Sequence, residues 1–279
     1  SERERICAGM NIKYVNNMHQ EVELNSGSYK MLISDILNHE WEPEELGNRI
    51  AGFQKGISKK TVNIDVIKNS RESSRALANK LIEFFERDVR KASPGKLYIG
   101  EYYLPCYIYS AVKTNWGTDV VMSCEFGVIT DYPFWCRERL FSFRKDAGAQ
   151  SDFLDYPHGY PYDYCAPSNM RFLNNDHYYD CDFMCTIYGP CESPRFMINN
   201  HIYEVRTVLY DSERLTFDSR GKSLVKTDYQ GREINIFNSR NKEHSLFQKI
   251  PPGRSSVTWN MGFDFDITLF QGRSEPEWK

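Results

Sequence analysis

Alternate residues near the end of the chain are apolar over a long stretch, and this pattern constrains the fold more than any other feature. The apolar side chains are Val257, Trp259, Met261, Phe263, Phe265, Ile267 and Leu269. The residues between them are mostly small or polar, among them Thr258, Asn260 and Asp264. Successive side chains of a β-strand point to opposite faces, whereas a helix would scatter these residues around its axis. The pattern therefore predicts one long strand in an antiparallel sheet with one buried face.

Composition excludes several classes of protein. A length of 279 residues with 41% apolar residues is sufficient for two ordinary domains or one large β domain. The net charge of −3 does not provide the basic surface that is typical of nucleic-acid binding. No stretch is long and apolar enough to span a membrane, and the charged start does not resemble a signal peptide. We therefore expect no nucleic-acid partner, no membrane insertion and assembly in a reducing cytoplasm.

The cysteines do not have the spacing of a structural zinc site. The chain has eight, and none of them forms the CxxC pair that is typical of such sites. The closest group lies near His158 and His177 and consists of Cys165, Cys181, Cys185 and Cys191. In a reducing compartment we expect these thiols to be free. No metal and no cofactor are predicted.

The distribution of strand and helix patterns predicts a mainly β fold with two domains. Turn signals separate short alternating segments along most of the chain, as is typical of a sandwich or barrel. One helix is predicted at about 70–92, with Asn69 or Ser70 as its N-cap. Its apolar stripe is formed by Leu77, Leu81, Phe84, Phe85 and Val89. We expect a β domain with one packed helix at 1–141 and a purely β domain at 142–279.

Candidate catalytic residues are few. Asp264 and Asp266 lie on one face of the predicted strand, about 7 Å apart from the rise per residue. A carboxylate pair of this kind can perform acid–base chemistry in a glycosidase, but it is equally typical of a solvated strand face. Local signatures of nucleophilic, metalloprotease or nucleotide-dependent enzymes are absent, and the six histidines are scattered. The sequence therefore favours a protein that is not an enzyme.

Two segments have the residues of an interaction surface. A Pro-rich loop concentrates aromatic side chains that either contact a partner or a glycan, or pack inward over the sandwich: Tyr156, Tyr160, Tyr162 and Tyr164. A glycine-rich segment is either an extended hairpin that reaches a neighbouring subunit or an ordinary mobile connection. Its candidate ring-contact residues are Gly47, Asn48, Arg49, Gly52, Phe53 and Gly56.

Several short stretches occur in the order found in one family of phage proteins. They are GNRIAGF at 47–53, PGKLY at 94–98, TDYPFW at 130–135, YGPC at 188–191, NIFN at 235–238, FQKIPPG at 247–253 and RSEPEW at 273–278. Together they resemble the distal tail protein (Dit) family of long-tailed phages, or siphophages. The resemblance covers nearly the whole chain and is weakest at 144–180.

The resemblance implies a structural role. Members of that family form a ring, usually a homohexamer, at the virion tail tip. Their N-terminal domain builds the ring, and their C-terminal domain is a galectin-like β-sandwich. The implied partners are the tail tube protein, the tail-associated hub or lysin protein and a receptor-binding protein. The family supplies no catalytic residues, and the main alternative is a carbohydrate-binding module that uses the C-terminal sandwich.

Overall fold

The computed structural model describes residues 11–32, 35–115, 119–145 and 170–277, and these residues form two compact units. Unit 1 comprises the residues up to Arg137 together with those from Gly272 onward, and unit 2 is Glu138–Gln271. Both are built mainly from antiparallel strands, which confirms the predicted fold class. The predicted boundary between 141 and 142 stays a prediction. The grouping of Gly272 and its successors with unit 1 has no counterpart in the sequence pattern.

Unit 1 contains one α-helix among its described residues and ten strands. They are β1 (Ile12–Val15), β2 (Glu21–Glu23), β3 (Tyr29–Leu32), β4 (Glu42–Leu46), β5 (Arg49–Gln54), β6 (Ser58–Ile67), α1 (Ser74–Lys91), β7 (Gly95–Ile99), β8 (Tyr102–Asn115), β9 (Val121–Thr130) and the start of β10 (Trp135–Phe143). The first half of β8 pairs with β7, and its second half pairs with β9 after a register shift. β8 is thereby shared between the order β2-β1-β7-β8 and the order β3-β6-β9-β8.

The core of unit 1 follows the predicted periodicities with two corrections in α1. Strand β6 buries Val62, Ile64 and Val66 on one face, as expected. The N-cap of α1 is Ser73, whose hydroxyl accepts a hydrogen bond from the Ala76 amide, so the prediction of Asn69 or Ser70 is wrong. Asn69 instead closes a turn, in which its side-chain oxygen accepts hydrogen bonds from the backbone amides of Arg71 and Glu72.

The apolar stripe of α1 is shorter than predicted. Leu77, Leu81 and Phe85 are buried and Phe84 is half-buried, but Val89 is exposed. At the C-terminal turn the inward position is taken by Asp88, which is fully buried. The sequence pattern favoured Val89 because periodicity alone cannot identify a charged residue that is accommodated by a polar partner.

Asp88 is held by a buried hydrogen-bond cluster. Its carboxylate accepts a hydrogen bond of 2.7 Å from the Tyr14 hydroxyl and one of 2.8 Å from the Asn17 amide. Burial raises the pKa of Asp88, and the hydrogen bonds from Asn17 and Tyr14 oppose that rise. Gly95 lies directly against the cluster, where a Cβ atom would overlap both the Tyr14 hydroxyl and the Asp88 carboxylate. The close approach of β7 to α1 therefore requires a glycine at this position.

Unit 2 is a sandwich of two sheets. Its strands are the rest of β10, β11 (Met170–Asn175), β12 (Asp182–Tyr188), β13 (Cys191–Glu192), β14 (Arg195–Ile198), β15 (His201–Glu204), β16 (Val208–Leu209), β17 (Arg214–Asp218), β18 (Ser223–Thr227), β19 (Glu233–Asn235), β20 (Gly253–Trp259) and β21 (Asp264–Arg273). One sheet has the order β19-β18-β17-β12-β21-β10, and the other has the order β11-β20-β14-β15. Apolar side chains from both sheets form one core.

The prediction of one long strand at the C-terminal alternation is wrong, although its buried face is right. The segment is two strands, β20 and β21, in different sheets. Between them the Asn260 side chain accepts a hydrogen bond from the Gly262 amide, and Met261 has a φ of +56°. The Trp259 indole donates to the Phe263 carbonyl across this turn. The alternation of apolar and polar residues continues across the turn because both strands bury side chains in the same core.

Replacement of Gly95 by alanine is expected to destabilise unit 1 by about 1–3 kcal/mol, since overpacking a filled core forces its neighbours to move. The midpoint of urea unfolding, followed by intrinsic fluorescence, measures the effect. Gly56→Ala is the matched control, because a Cβ there would make an ordinary contact of 3.7 Å with the Glu42 carboxylate. Equal midpoints for the two variants would contradict the prediction.

Candidate functional site

Strands β4 and β5 form a two-stranded ribbon that pairs with no other described strand. Pairing runs from Glu42 opposite Gln54 to Leu46 opposite Arg49, with a register shift after Glu44. The turn is Gly47-Asn48, and Gly47 has a φ of +63°. This is the left-handed conformation that glycine supplies at the first position of a type II′ hairpin turn. We call residues 42–54 the projecting hairpin.

One face of the projecting hairpin is largely apolar and exposed. Residues directly opposite each other in a ribbon share a face, so Pro43 and Phe53 lie beside Ile50, with Glu45 opposite Ile50. Ile50 is 61% exposed and Phe53 is 58% exposed. An isolated hairpin is marginally stable in water, and exposed apolar surface of this kind is typical of an interaction site. The chemistry of this face fits contact with another protein surface.

The opposite face of the projecting hairpin is acidic with an apolar tip. Glu42, Glu44 and Leu46 alternate along β4 and therefore share this face. Leu46 is 77% exposed, the largest exposure among the large apolar side chains described. The hairpin as a whole carries three glutamates and one arginine. Arg49 lies directly opposite Leu46 and shares its face, so the glutamates of this face are followed by a leucine and an arginine at the tip.

The base of the projecting hairpin is fixed by a clamp around Lys55. The Lys55 ammonium lies 4.7 Å from the centre of the Trp41 ring and 4.6 Å from that of Phe134. It also donates a hydrogen bond of 2.8 Å to the Ser274 hydroxyl. Burial lowers the pKa of Lys55, the nearby Lys60 lowers it further, and Glu275 opposes both. A cation between two aromatic faces is attracted by both rings, so the clamp defines where the hairpin leaves unit 1.

The C-terminal segment makes a second contact near the base of the projecting hairpin. The His39 imidazole Nδ1 lies 2.9 Å from a carboxylate oxygen of Glu275. Ser274 and Glu275 therefore both contact residues that flank the hairpin in sequence. These contacts explain why the residues after Gly272 cluster with unit 1.

A cavity of about 220 Å³ lies at the base of the projecting hairpin. Its apolar lining comes from six side chains: Ile36, Ile57, Leu104, Val128, Pro133 and Trp135. Its charged lining consists of three lysines, Lys55, Lys59 and Lys60, and two glutamates, Glu40 and Glu42. We call this the base cavity. It combines an apolar lining with charged groups, among which the lysines are in excess.

The sequence-predicted ring-contact residues all lie in the projecting hairpin or directly after it. Gly47, Asn48, Arg49, Gly52 and Phe53 are in the hairpin, and Gly56 follows β5 at the rim of the base cavity. Their role in a contact stays a prediction. The structure adds apolar Leu46 and Ile50 and the clamp residue Lys55. The sequence signal for Leu46 and Ile50 is that apolar residues cluster around the glycines. The clamp has no such signal, because it depends on Trp41 and Phe134 meeting in space.

The Asp264 and Asp266 pair lies on β21, but its surroundings do not fit a glycosidase. Asp266 accepts a hydrogen bond of 2.8 Å from the Tyr188 hydroxyl, and an Arg144 nitrogen lies 2.8 Å from its other oxygen. Burial raises the pKa of Asp266, but hydrogen bonds from Arg144, Ser142 and Tyr188 outweigh burial and lower it overall. A general acid needs the opposite shift. Asp266 therefore holds β10, β12 and β21 together as an ionised partner of Arg144.

The remaining candidate residues divide between described and undescribed parts of the chain. The tyrosine loop, with Tyr156, Tyr160, Tyr162 and Tyr164, lies outside the described residues, as does Cys165. Cys181 and Cys185 are free and buried, and Cys191 is free and half-buried. Burial raises the pKa of Cys181 to about 11, so its thiol is protonated at neutral pH. Across the described ranges no three His, Cys, Asp or Glu side chains gather as a metal site.

The described part of the chain contains no helix with the length and apolarity needed to cross a membrane. No family model matches the sequence, and no curated protein matches it.

Solved structures with this fold include three from phage tails. The crystal structure of SPP1 Dit, described as a paradigm of the hub adsorption apparatus in phages that infect Gram-positive bacteria, has a TM-score of 0.53 and 8% identity; the alignment covers 94% of this chain and 99% of that chain. The structure of the phage P2 baseplate in its activated conformation with Ca has a TM-score of 0.61 and 10% identity, and the alignment covers 96% of this chain and 99% of that chain. The structure of the same baseplate with Sr has a TM-score of 0.59 and 12% identity, with the same two coverages. The expected resemblance to Dit is thereby confirmed for the fold.

Replacement of Asp266 by asparagine is expected to lower the free energy of unfolding of unit 2 at pH 7 by about 1–2 kcal/mol, as hydrogen bonds to a charged group are lost. Because the folded pKa of Asp266 is lowered, its contribution is present above about pH 4 and is lost as the pH falls through the folded value. The deficit of the variant should therefore shrink toward pH 3. Urea unfolding at several pH values measures this difference in unfolding free energy, with Asp211→Asn at an exposed aspartate as control. A difference that stays constant with pH would contradict the role of Asp266 as an ionised partner of Arg144.

Replacement of Lys55 by methionine is expected to loosen the projecting hairpin without unfolding unit 1. The change removes the charge from the clamp and keeps an unbranched side chain. Cation–π contacts contribute about 0.5–2 kcal/mol, so amide hydrogen exchange at 42–54 should accelerate about 2- to 30-fold. Exchange followed by mass spectrometry measures the change, with exposed Lys68→Met as control. Unchanged exchange in the hairpin would show that the clamp does not hold it.

Proposed function

We propose that this chain is a structural subunit of a phage tail tip, a distal tail hub or adaptor protein that assembles into a ring and has no enzymatic activity. The ring is a homohexamer that joins the tail tube protein to the tail-associated hub or lysin protein, with a receptor-binding protein at its periphery. It is assembled in the host cytoplasm and resides at the virion tail tip.

Support for a tail-tip role comes from the extent of the structural likeness. The alignments with SPP1 Dit and the P2 baseplate chains cover 94–96% of this chain and 99% of each neighbour. The likeness thus includes the material of both units rather than a single widespread domain. TM-scores of 0.53–0.61 establish a shared fold although the identities are only 8–12%, and a fold alone does not fix function. The functional argument therefore rests on a surface of this chain.

The projecting hairpin is the observation that carries the proposal. A ring subunit contacts its two neighbours through two different surfaces, one of which must be complementary to the other. The projecting hairpin is held at its base and exposes Ile50 and Phe53, so it can supply one of these two contact surfaces. Its apolar face gains free energy when a neighbour removes it from water, at about 25 cal/mol per Å² of apolar area.

The proposal predicts that Phe53→Glu weakens self-assembly. Burial of a charge in place of an aromatic ring should raise the dissociation constant of the ring contact about tenfold to a hundredfold, or by about 1.5–3 kcal/mol. Sedimentation velocity over a wide concentration range should show a species of six times the 32.7 kDa chain mass for the unmodified protein and smaller species for the variant. Tyr229→Glu, at an exposed tyrosine of unit 2, is the matched control.

Two results would contradict the proposal. Assembly of Phe53→Glu to the same mass as the unmodified chain would remove the hairpin from the ring contact. Saturable binding to a glycan array by a chain that remains monomeric at all concentrations, even with the tube protein present, would favour a carbohydrate-binding module instead.

A further inference from the structure

We propose that the base cavity of one copy of this chain receives the tip of the projecting hairpin of a second copy, with Leu46 in the apolar lining and Glu44 among the lysines. This inference deepens the proposed function and rests on it, because it identifies the surface that the hairpin contacts in the ring.

Charge complementarity is the first argument. The face of the hairpin that bears Leu46 also bears Glu42 and Glu44, with Arg49 directly opposite Leu46 at the tip. The base cavity is lined by three lysines, Lys55, Lys59 and Lys60, against two glutamates, Glu40 and Glu42. Lys60 is half-buried beside Lys55. Two ammonium groups at a partly dehydrated site repel each other, and a carboxylate placed between them relieves that repulsion. The hairpin supplies such a carboxylate next to an apolar side chain.

Apolar complementarity is the second argument. The cavity of about 220 Å³ offers an incoming group the exposed Ile57 and the half-buried Pro133, while its other apolar lining residues are already buried: Ile36, Leu104, Val128 and Trp135. Leu46 is the most exposed large apolar side chain of the described residues and lies at the end of a ribbon. A side chain buried in a pocket at the centre of a contact, with polar groups around it, is the usual arrangement of an interface anchor.

Geometry requires the two groups to belong to different copies. Strand β4 has 5 residues and runs from Glu42 to Leu46, so Leu46 lies about 13 Å from the base of its own hairpin. The base cavity is lined by Glu42 and Lys55, which are at that base. A continuous ribbon cannot bring Leu46 back to Glu42 of the same chain. A tip-to-base contact is therefore heterologous, the type of contact that generates rings when its rotation closes.

The test is a charge reversal with rescue. Glu44→Lys and Lys60→Glu are each expected to raise the dissociation constant of assembly about tenfold or more, and the double variant should recover most of the loss because the pair is restored with opposite polarity. Lys68→Glu, at an exposed lysine away from the cavity, should assemble normally. Sedimentation velocity measures all four proteins, and circular dichroism shows that each is folded.

Photo-crosslinking identifies the contact directly. Leu46 is replaced by p-benzoylphenylalanine in a mixture of chains with natural nitrogen and chains with ¹⁵N, so that crosslinks between copies have a mixed isotope pattern. Crosslinks between copies to 36–42, 55–60 or 128–135, together with rescue by the double variant, support the proposal. Crosslinks between copies that fall elsewhere, or normal assembly of Lys60→Glu, overturn the docking site and leave the ring intact. A chain that neither assembles nor crosslinks between copies overturns the proposed function as well.

Discussion

The Lys55 clamp is the interaction on which the candidate surface depends. A two-stranded ribbon with no neighbouring strand would adopt many directions in water, and its apolar side chains would find any surface nearby. The contacts of Lys55 with Trp41, Phe134 and Ser274 fix its base, so the ribbon leaves unit 1 at one defined place. Lys55 and Ser274 also line the base cavity. A single half-buried cation therefore contributes both to the projecting surface and to the cavity beside it.

Two carboxylates, Asp88 and Asp266, have structural roles that their surroundings explain. The pKa of Asp88 is raised by burial, and its carboxylate links α1 to the Tyr14 hydroxyl. The pKa of Asp266 is lowered because Arg144 and Tyr188 outweigh burial. Opposite shifts of two carboxylates can mark an acid–base pair when they share a site, but these two belong to different cores. Each is explained by the strands and helix that it connects.

The proposed contact pairs two features of one chain. The projecting hairpin carries glutamates and an exposed leucine with Arg49 opposite it, and the base cavity has three lysines and two glutamates around an apolar lining. Structural neighbours with as little as 8% identity keep the same fold over both units. The buried positions of an alternating strand tolerate many different apolar residues, so the fold can persist while the sequence changes. Contact surfaces depend on particular side chains and must be argued from this chain alone.

The sequence by itself determined the mainly β character, the packed helix α1 and the buried face of the C-terminal alternation, because side-chain periodicity depends only on local backbone geometry. It also placed the hairpin segment, since glycine at a turn and flanking apolar residues are local signals. Tertiary structure alone decided the break at Met261 between two sheets and the inward placement of Asp88 instead of Val89. It also decided the return of Ser274 to Lys55. Each of these depends on a partner distant in sequence, and a local pattern contains no information about which distant residue will be that partner.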